Sequence, residues 1–117
     1  MNLYEHTIIA RQDTSPSELK LLTEKYSKIV EKHQGKIIKT ENWGLINLSH
    51  IIKKNRKGSY IHFKIEGSGK VISELEKSEA IDKKLLRYLT VKVKKFDLET
   101  VYFTNKDEKE KKENLKN

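Results

Sequence analysis

Two stretches with helical spacing, each enclosed by stretches with strand alternation, constrain this 117-residue chain more than its composition does. The first helix is announced by Ser15-Pro16-Ser17-Glu18. Ser15 can accept from the free N–H groups of the first turn, and Pro16 already has the φ of a first helical residue. Glu18 can reach back to complete a capping box. Leu19, Leu22, Tyr26, Ile29 and Val30 then fall on one helical face. Gly35 stands where a left-handed C-terminal cap is expected. Before this helix, Leu3 to Ala10 is β-branched and aromatic and predicts a strand.

Beyond the helix, Lys36 to Ile52 has the length and apolar content of one long strand, with Trp43 as an anchoring ring and Gly44 permitting a bend. Lys53-Lys54-Asn55-Arg56-Lys57-Gly58 is polar and turn-forming. Tyr60 to Ile65 alternates, which places Ile61, Phe63 and Ile65 inward and predicts a hairpin with the preceding strand. Ser68 can cap a second helix carrying Val71, Ile72 and Leu75. Leu86 to Val93 reads as a last strand with Leu89, Val91 and Val93 inward. The order β-α-β-β-α-β predicts an α+β ferredoxin-like plait, a four-stranded antiparallel sheet with both helices on one face. The other face would be open and occupied by Tyr60, His62, Lys64, Tyr88, Thr90, Lys92 and Lys94. One domain is expected over residues 1–104, followed by a charged, disordered tail at 105–117.

The formal charge is +8, and 25 basic residues include only three Arg (Arg11, Arg56, Arg87). With five Lys and four acids in the tail, almost all of the excess belongs to the domain. No cysteine is present, so disulfides, thiol nucleophiles and cysteine-ligated metals are excluded. No apolar run approaches the roughly 18 residues that span a bilayer, and Met1 to Glu5 lacks a signal-peptide pattern. A soluble, cytoplasmic protein with no membrane association is expected.

Enzyme chemistry finds no support. The carboxylate pairs Glu5 with Asp13 and Glu41 with Glu66 have no spacing that sets one against the other, and they read as solvated or strand-edge charges. His6, His33, His50 and His62 are scattered without metal-ligand spacing. Ser15, Ser49, Ser59 and Ser68 sit in no nucleophile elbow, and Gly67-Ser68-Gly69 is a turn, too short to cradle phosphate. No catalytic residue, cofactor or small-molecule substrate is expected.

Binding to a polyanion is better supported. Lys53, Lys54, Arg56 and Lys57 form an exposed turn flanked by strands, suited to phosphate contact. Arg87, Lys92 and Lys94 make a second basic group, and Tyr4 and Tyr60 are candidates for packing against RNA. Lys57-Gly58-Ser59-Tyr60-Ile61-His62-Phe63 partly mimics the signature of RNA-recognition motifs, but is one residue short and has Ser59 at the first stacking position. A free RNA-binding regulator of that kind is the alternative reading.

A combination of segments is more specific. Tyr4-Glu5, the capped helix ending near Gly35, Trp43-Gly44-x-x-x-Leu48, Ile52-Lys53-Lys54, Lys57-Gly58-x-Tyr60 and Ile81-Asp82 through Leu86-Arg87 to Val91-Lys92-Val93 resemble the bacterial small-subunit ribosomal protein S6 family. The resemblance covers about residues 1–96. It departs at Leu45-Ile46, where the family usually has basic residues, and at His50, where it usually has Tyr. The resemblance implies a ferredoxin-like plait without enzymatic activity, located on the ribosome. It implies binding to the central domain of 16S ribosomal RNA and pairing with small-subunit ribosomal protein S18. Leu45, Ile46, Leu48 and His50 are the residues expected to meet that partner.

Overall fold

In a computed structural model, whose described residues are 2–96, six elements follow in the expected order. They are β1 (Asn2–Arg11), α1 (Pro16–Lys32), β2 (Lys36–Ile52), β3 (Asn55–Gly67), α2 (Gly69–Ala80) and β4 (Leu85–Val93). The tail expected at 105–117 and the domain end at 104 lie outside the described residues.

The start of α1 follows from its first four residues. Glu18 N–H donates to Ser15 Oγ at 3.2 Å, and Ser15 N–H donates to Glu18 Oε1 at 3.0 Å, which closes the capping box. The Ser15 N–H, with help from Lys84 at 3.0 Å, holds the Glu18 carboxyl down at about 2. The helix end differs from the expectation. Gln34, at φ +64°, occupies the left-handed position, and Gly35 follows it. Gln34 N–H donates to the Glu31 carbonyl and Gly35 N–H to the Val30 carbonyl, which is the Schellman arrangement. Gly35 is there for space: a Cβ would lie 2.8 Å from Val30 Cγ1 and 3.0 Å from Val71 Cγ1. At α2, Ser68 takes the N-cap position but makes no side-chain capping bond.

All strand pairs are antiparallel, in the order β2-β3-β1-β4. Residues directly opposite one another share a face, so the register assigns every side chain to a layer. On the helix side, Tyr4, Ile8 and Ala10 of β1 and Ile61, Phe63 and Ile65 of β3 meet Leu22, Tyr26 and Val30 of α1 and Val71, Ile72 and Leu75 of α2. The Tyr26 hydroxyl donates to Asp82 Oδ2 at 2.6 Å, tying α1 to the loop before β4. Gly44 has φ +83° at a register shift in β2, so the bend at that position has its glycine.

The phase of β4 is the main correction. Tyr88, Thr90 and Lys92 lie opposite Ile8, His6 and Tyr4, on the helix side, while Leu89 and Val91 lie opposite Thr7 and Glu5 on the open side. A register shift near Ala10 lets both Leu85 and Leu86 be buried, and this sets the phase of everything after them. Thr90 is accepted on the helix side because polar partners await it there: Oγ1 donates to Glu76 Oε2 at 2.8 Å and lies 2.6 Å from His6 Nδ1.

The helix end generates paired expectations of opposite sign. Gln34→Gly should stabilise by about 0.5–1 kcal/mol by relieving a left-handed non-glycine residue. Gly35→Ala should destabilise by about 1–3 kcal/mol through overpacking against Val30 and Val71. Urea denaturation of both variants checks the assignment.

Candidate nucleic-acid interface

β2 and β3 are joined by Lys53 and Lys54 alone, narrower than the six-residue turn expected, since Asn55 already pairs with Ile52. Both lysines have positive φ, +46° and +68°. Two central residues of positive φ are what a tight hairpin turn with the right twist requires, and Asn-Gly is the usual occupant. Two lysines there are strained by about 1 kcal/mol or more each.

The turn is braced from the loop after β1. The buried Asn55 donates through Nδ2 to the Lys53 carbonyl at 3.0 Å and accepts through Oδ1 from the Gln12 N–H at 3.0 Å. Gln12 Oε1 in turn accepts from the Arg56 and Lys57 N–H groups, each at 3.3 Å. The exchange holds the tip rigid while leaving Lys53, Lys54, Arg56 and Lys57 exposed. These four cations are therefore brought together.

The other expected contacts are dispersed. Arg87 lies on the open face in a row with Ile9 and Tyr60. Lys92 faces the helix side opposite Tyr4, and Lys94 is exposed just beyond β4. Tyr60 is half-buried, with the Trp43 ring stacked at 6.3 Å. Tyr4 is 8% exposed within the core, its hydroxyl accepting from Asn2 Nδ2, so it is a core residue rather than a surface contact. Along β2, Leu45 is opposite Ser59 on the helix side, whereas Ile46 is opposite Gly58 on the open side. Leu48 lies near Gly58 as well, and His50 is exposed further along.

Sequence reasoning missed two buried polar clusters. On the open face, His62 Nε2 and Lys64 Nζ lie 2.8 and 3.3 Å from the same oxygen, Glu5 Oε1. His62 Nδ1 is 2.8 Å from Thr7 Oγ1, and Trp43 stacks on the imidazole at 4.7 Å while donating to Glu41 Oε1. Lys64 is fully buried, and Glu41 Oε2 lies 3.6 Å from Lys39 and 3.9 Å from Lys64. Glu5, expected as a solvated or strand-edge charge, is thus partnered on a central strand, and Glu41, on the edge strand β2, is partnered as well. On the helix side, His6 Nε2 lies 2.6 Å from Glu79 Oε2 with both side chains fully buried. The signal was the run of polar residues at period two, Glu5-x-Thr7 and His62-x-Lys64, but pairing them needs the register.

Burial pushes His62 below the ordinary imidazole range, against the raising effect of its bond to Glu5; Lys64 lowers it further, while Glu41 acts to raise it. Burial pushes Glu79 up, opposed by its bond to His6. Each cluster sets a threonine hydroxyl against an imidazole held by a carboxylate, Thr7 with His62 and Glu5 and Thr90 with His6 and Glu79, and both imidazoles are buried. No group of three or more His, Cys, Asp or Glu among the described residues is placed to hold a metal.

Three comparisons bear on this geometry. Residues 3–92 match the family described as Ribosomal protein S6. The chain is 74% identical over 113 residues to small ribosomal subunit protein bS6 of Pelagibacter ubique, covering 97% of this chain and 93% of that one. It is 41% identical over 99 residues to bS6 of Bartonella bacilliformis, covering 85% and 73%. The crystal structure of 30S ribosomal protein S6 from Thermotoga maritima superposes with a TM-score of 0.74 at 26% identity, covering 99% of this chain and 98% of that one.

The His62 environment sets a pH dependence. With the native pKa depressed, the unfolded chain binds more protons as pH falls through about 6.5, so stability declines in that direction. Glu79, raised in the native state, acts with the opposite sign above about 4.5. Melting temperatures from pH 8 to pH 5 should therefore fall less steeply for His62→Gln than for the parent, isolating the histidine contribution.

Proposed function

Because the chain belongs to the ribosomal protein S6 family, we propose that its braced basic turn is the phosphate-binding element through which it holds 16S ribosomal RNA. Membership makes the protein a structural, non-catalytic constituent of the small ribosomal subunit. The finer reading is that it binds the central domain of 16S ribosomal RNA together with ribosomal protein S18.

One observation carries the RNA reading. Lys53 and Lys54 occupy left-handed backbone positions that Asn and Gly would fill more comfortably. Their charges supply a reason to accept that strain. The brace from Gln12 and Asn55 presents four cations on a short rigid tip, which lowers the ordering cost of binding. Contacts of this kind supply affinity and register rather than base identity. Arg87 and the half-buried Tyr60, in one open-face row, form the next candidates. Lys92 and Lys94 remain secondary cations, on the helix side and beyond the last strand.

For the protein partner, the exposed edge of β2 is the proposed surface, with Ile46 and Leu48 toward the open face, Leu45 toward the helices and His50 further along. Among the described residues, the edge position leaves one side of the β2 backbone without a neighbouring strand.

Exchanging the turn for Lys53→Asn with Lys54→Gly separates strain from charge. The double variant should be more stable by about 1–2 kcal/mol, yet bind the rRNA junction with S18 more weakly. Its salt slope should fall by roughly two, one per lost phosphate contact. Unchanged affinity and slope would remove the turn from the interface. For the partner surface, Leu45→Glu and Ile46→Glu should each abolish co-purification with S18 while leaving the melting temperature nearly unchanged. An intact heterodimer would reject that edge.

A further inference from the structure

The basic turn shares its end of the sheet with a second basic loop, and two consecutive residues tie them together. Arg11, the last residue of β1, pairs with Gly58 of β3, just beyond the turn. Its N–H donates to the Lys84 carbonyl at 2.9 Å, in the loop between α2 and β4. The next residue, Gln12, braces the turn through Asn55, Arg56 and Lys57. One basic loop is therefore fixed on each side of β1.

The loop before β4 has a brace of its own. Asp82 Oδ1 accepts from the Lys84 N–H at 3.0 Å, and Asp82 Oδ2 accepts from the Tyr26 hydroxyl at 2.6 Å. The Asp82 carbonyl accepts from the Leu85 N–H at 3.1 Å. Lys83 stands exposed within this turn of chain. A cation on a loop already ordered loses little freedom on meeting a partner.

The charges at this end divide into paired and unpaired groups. Arg11 lies 3.7 Å from Asp13, Lys84 3.0 Å from Glu18 and Lys25 3.2 Å from Asp82, so these largely cancel. Among the described residues, Lys83 and the four cations of the turn make no ion pair. The strand order places the turn over β2 and β3 and Lys83 at the start of β4, with β1 between. Two to three strand spacings separate them, roughly 10–14 Å. Cations that far apart suit different phosphates of one polyanion.

Resting on the RNA-binding reading of the turn, we infer that Lys83 is a second phosphate contact, so that the two braced loops hold separate phosphates of one RNA across the end of β1. The contact adds affinity and fixes orientation without reading bases.

The test measures the salt dependence of binding to the rRNA junction, with S18 present and the chain full-length. Lys83→Ala should lower the salt slope by roughly one and leave the melting temperature unchanged, because the side chain is exposed and unpaired. Added to Lys53→Asn with Lys54→Gly, it should bring the total loss to roughly three, since sites this far apart act additively. Lys36→Ala removes an exposed cation at the opposite end, where β2 pairs with Glu66, and should leave the slope unchanged. If the turn variant loses slope and Lys83→Ala does not, the second contact is overturned and the RNA reading of the turn stands. Unchanged slopes in both variants overturn that reading too. A combined loss no larger than that of the turn variant, or an equal loss from Lys36→Ala, also overturns the inference. A proximity readout separates RNA from the protein partner. The chain has no cysteine, so Lys83→Cys and Lys54→Cys can each carry one tethered iron chelate. Each should cleave the RNA backbone, at different nucleotides, and absence of cleavage from position 83 overturns the contact.

Discussion

The antiparallel ladder between β1 and β3 is the constraint on which the rest of the structure depends. It sets His6 opposite Phe63 and Thr7 opposite His62, and thereby assigns two adjacent polar residues of one strand to different layers. A slip of one residue would turn Glu5 and Thr7 into the core and expose Ile8. The two polar clusters make such a slip costly. Glu5 and Thr7 satisfy His62 and Lys64 on one side, and His6 meets Glu79 on the other. Each buried polar group left without its partner would cost about 1–3 kcal/mol. The same interactions that look out of place in a sheet therefore specify its register.

This arrangement explains how a polar chain maintains an ordered sheet. The helix side is closed by aliphatic and aromatic packing between strands and helices. The open side relies on a different chemistry, in which Trp43 lies flat on His62 and Lys64 is buried among carboxylates and the Phe96 ring. Its centre is thus held by ion pairs and ring stacking within the sheet. At the tip, backbone strain and positive charge coincide, and the bracing by Gln12 and Asn55 turns a locally unfavourable turn into a fixed one. On the proposed function, stability is given up at the point where RNA is held, a pattern seen where function competes with local preference.

Legibility followed the range of the interactions. The start of α1 was readable because the capping box lies within four consecutive residues. Element order, both hairpin strands and the exposed cations at 53, 54, 56 and 57 were readable for the same reason, since period and turn chemistry are local. Tyr4 shows the limit: an aromatic near a chain end reads equally well as a contact or as core, and only the helices packed over it decide. In β4, apolar alternation pointed to the wrong face, because Leu85 and Leu86 claimed the core first and Thr90 had a polar partner waiting there. At the end of α1, glycine was the natural left-handed residue, yet Gln34 took that conformation because Gly35 was needed for its lack of a side chain against Val30 and Val71.

By itself, the sequence determined the elements, their order and the place of the basic turn. These depend on caps, periodicity and residue type within a few positions of one another. The tertiary structure decided which side chains share a face, which histidine meets which carboxylate, and how the turn is braced. Those pairings join residues more than 40 positions apart: Gln12 to Asn55, Glu5 to His62, His6 to Glu79. No local pattern encodes them, because a polar residue on a strand carries no mark of its partner until pairing sets the register and burial makes the partner obligatory.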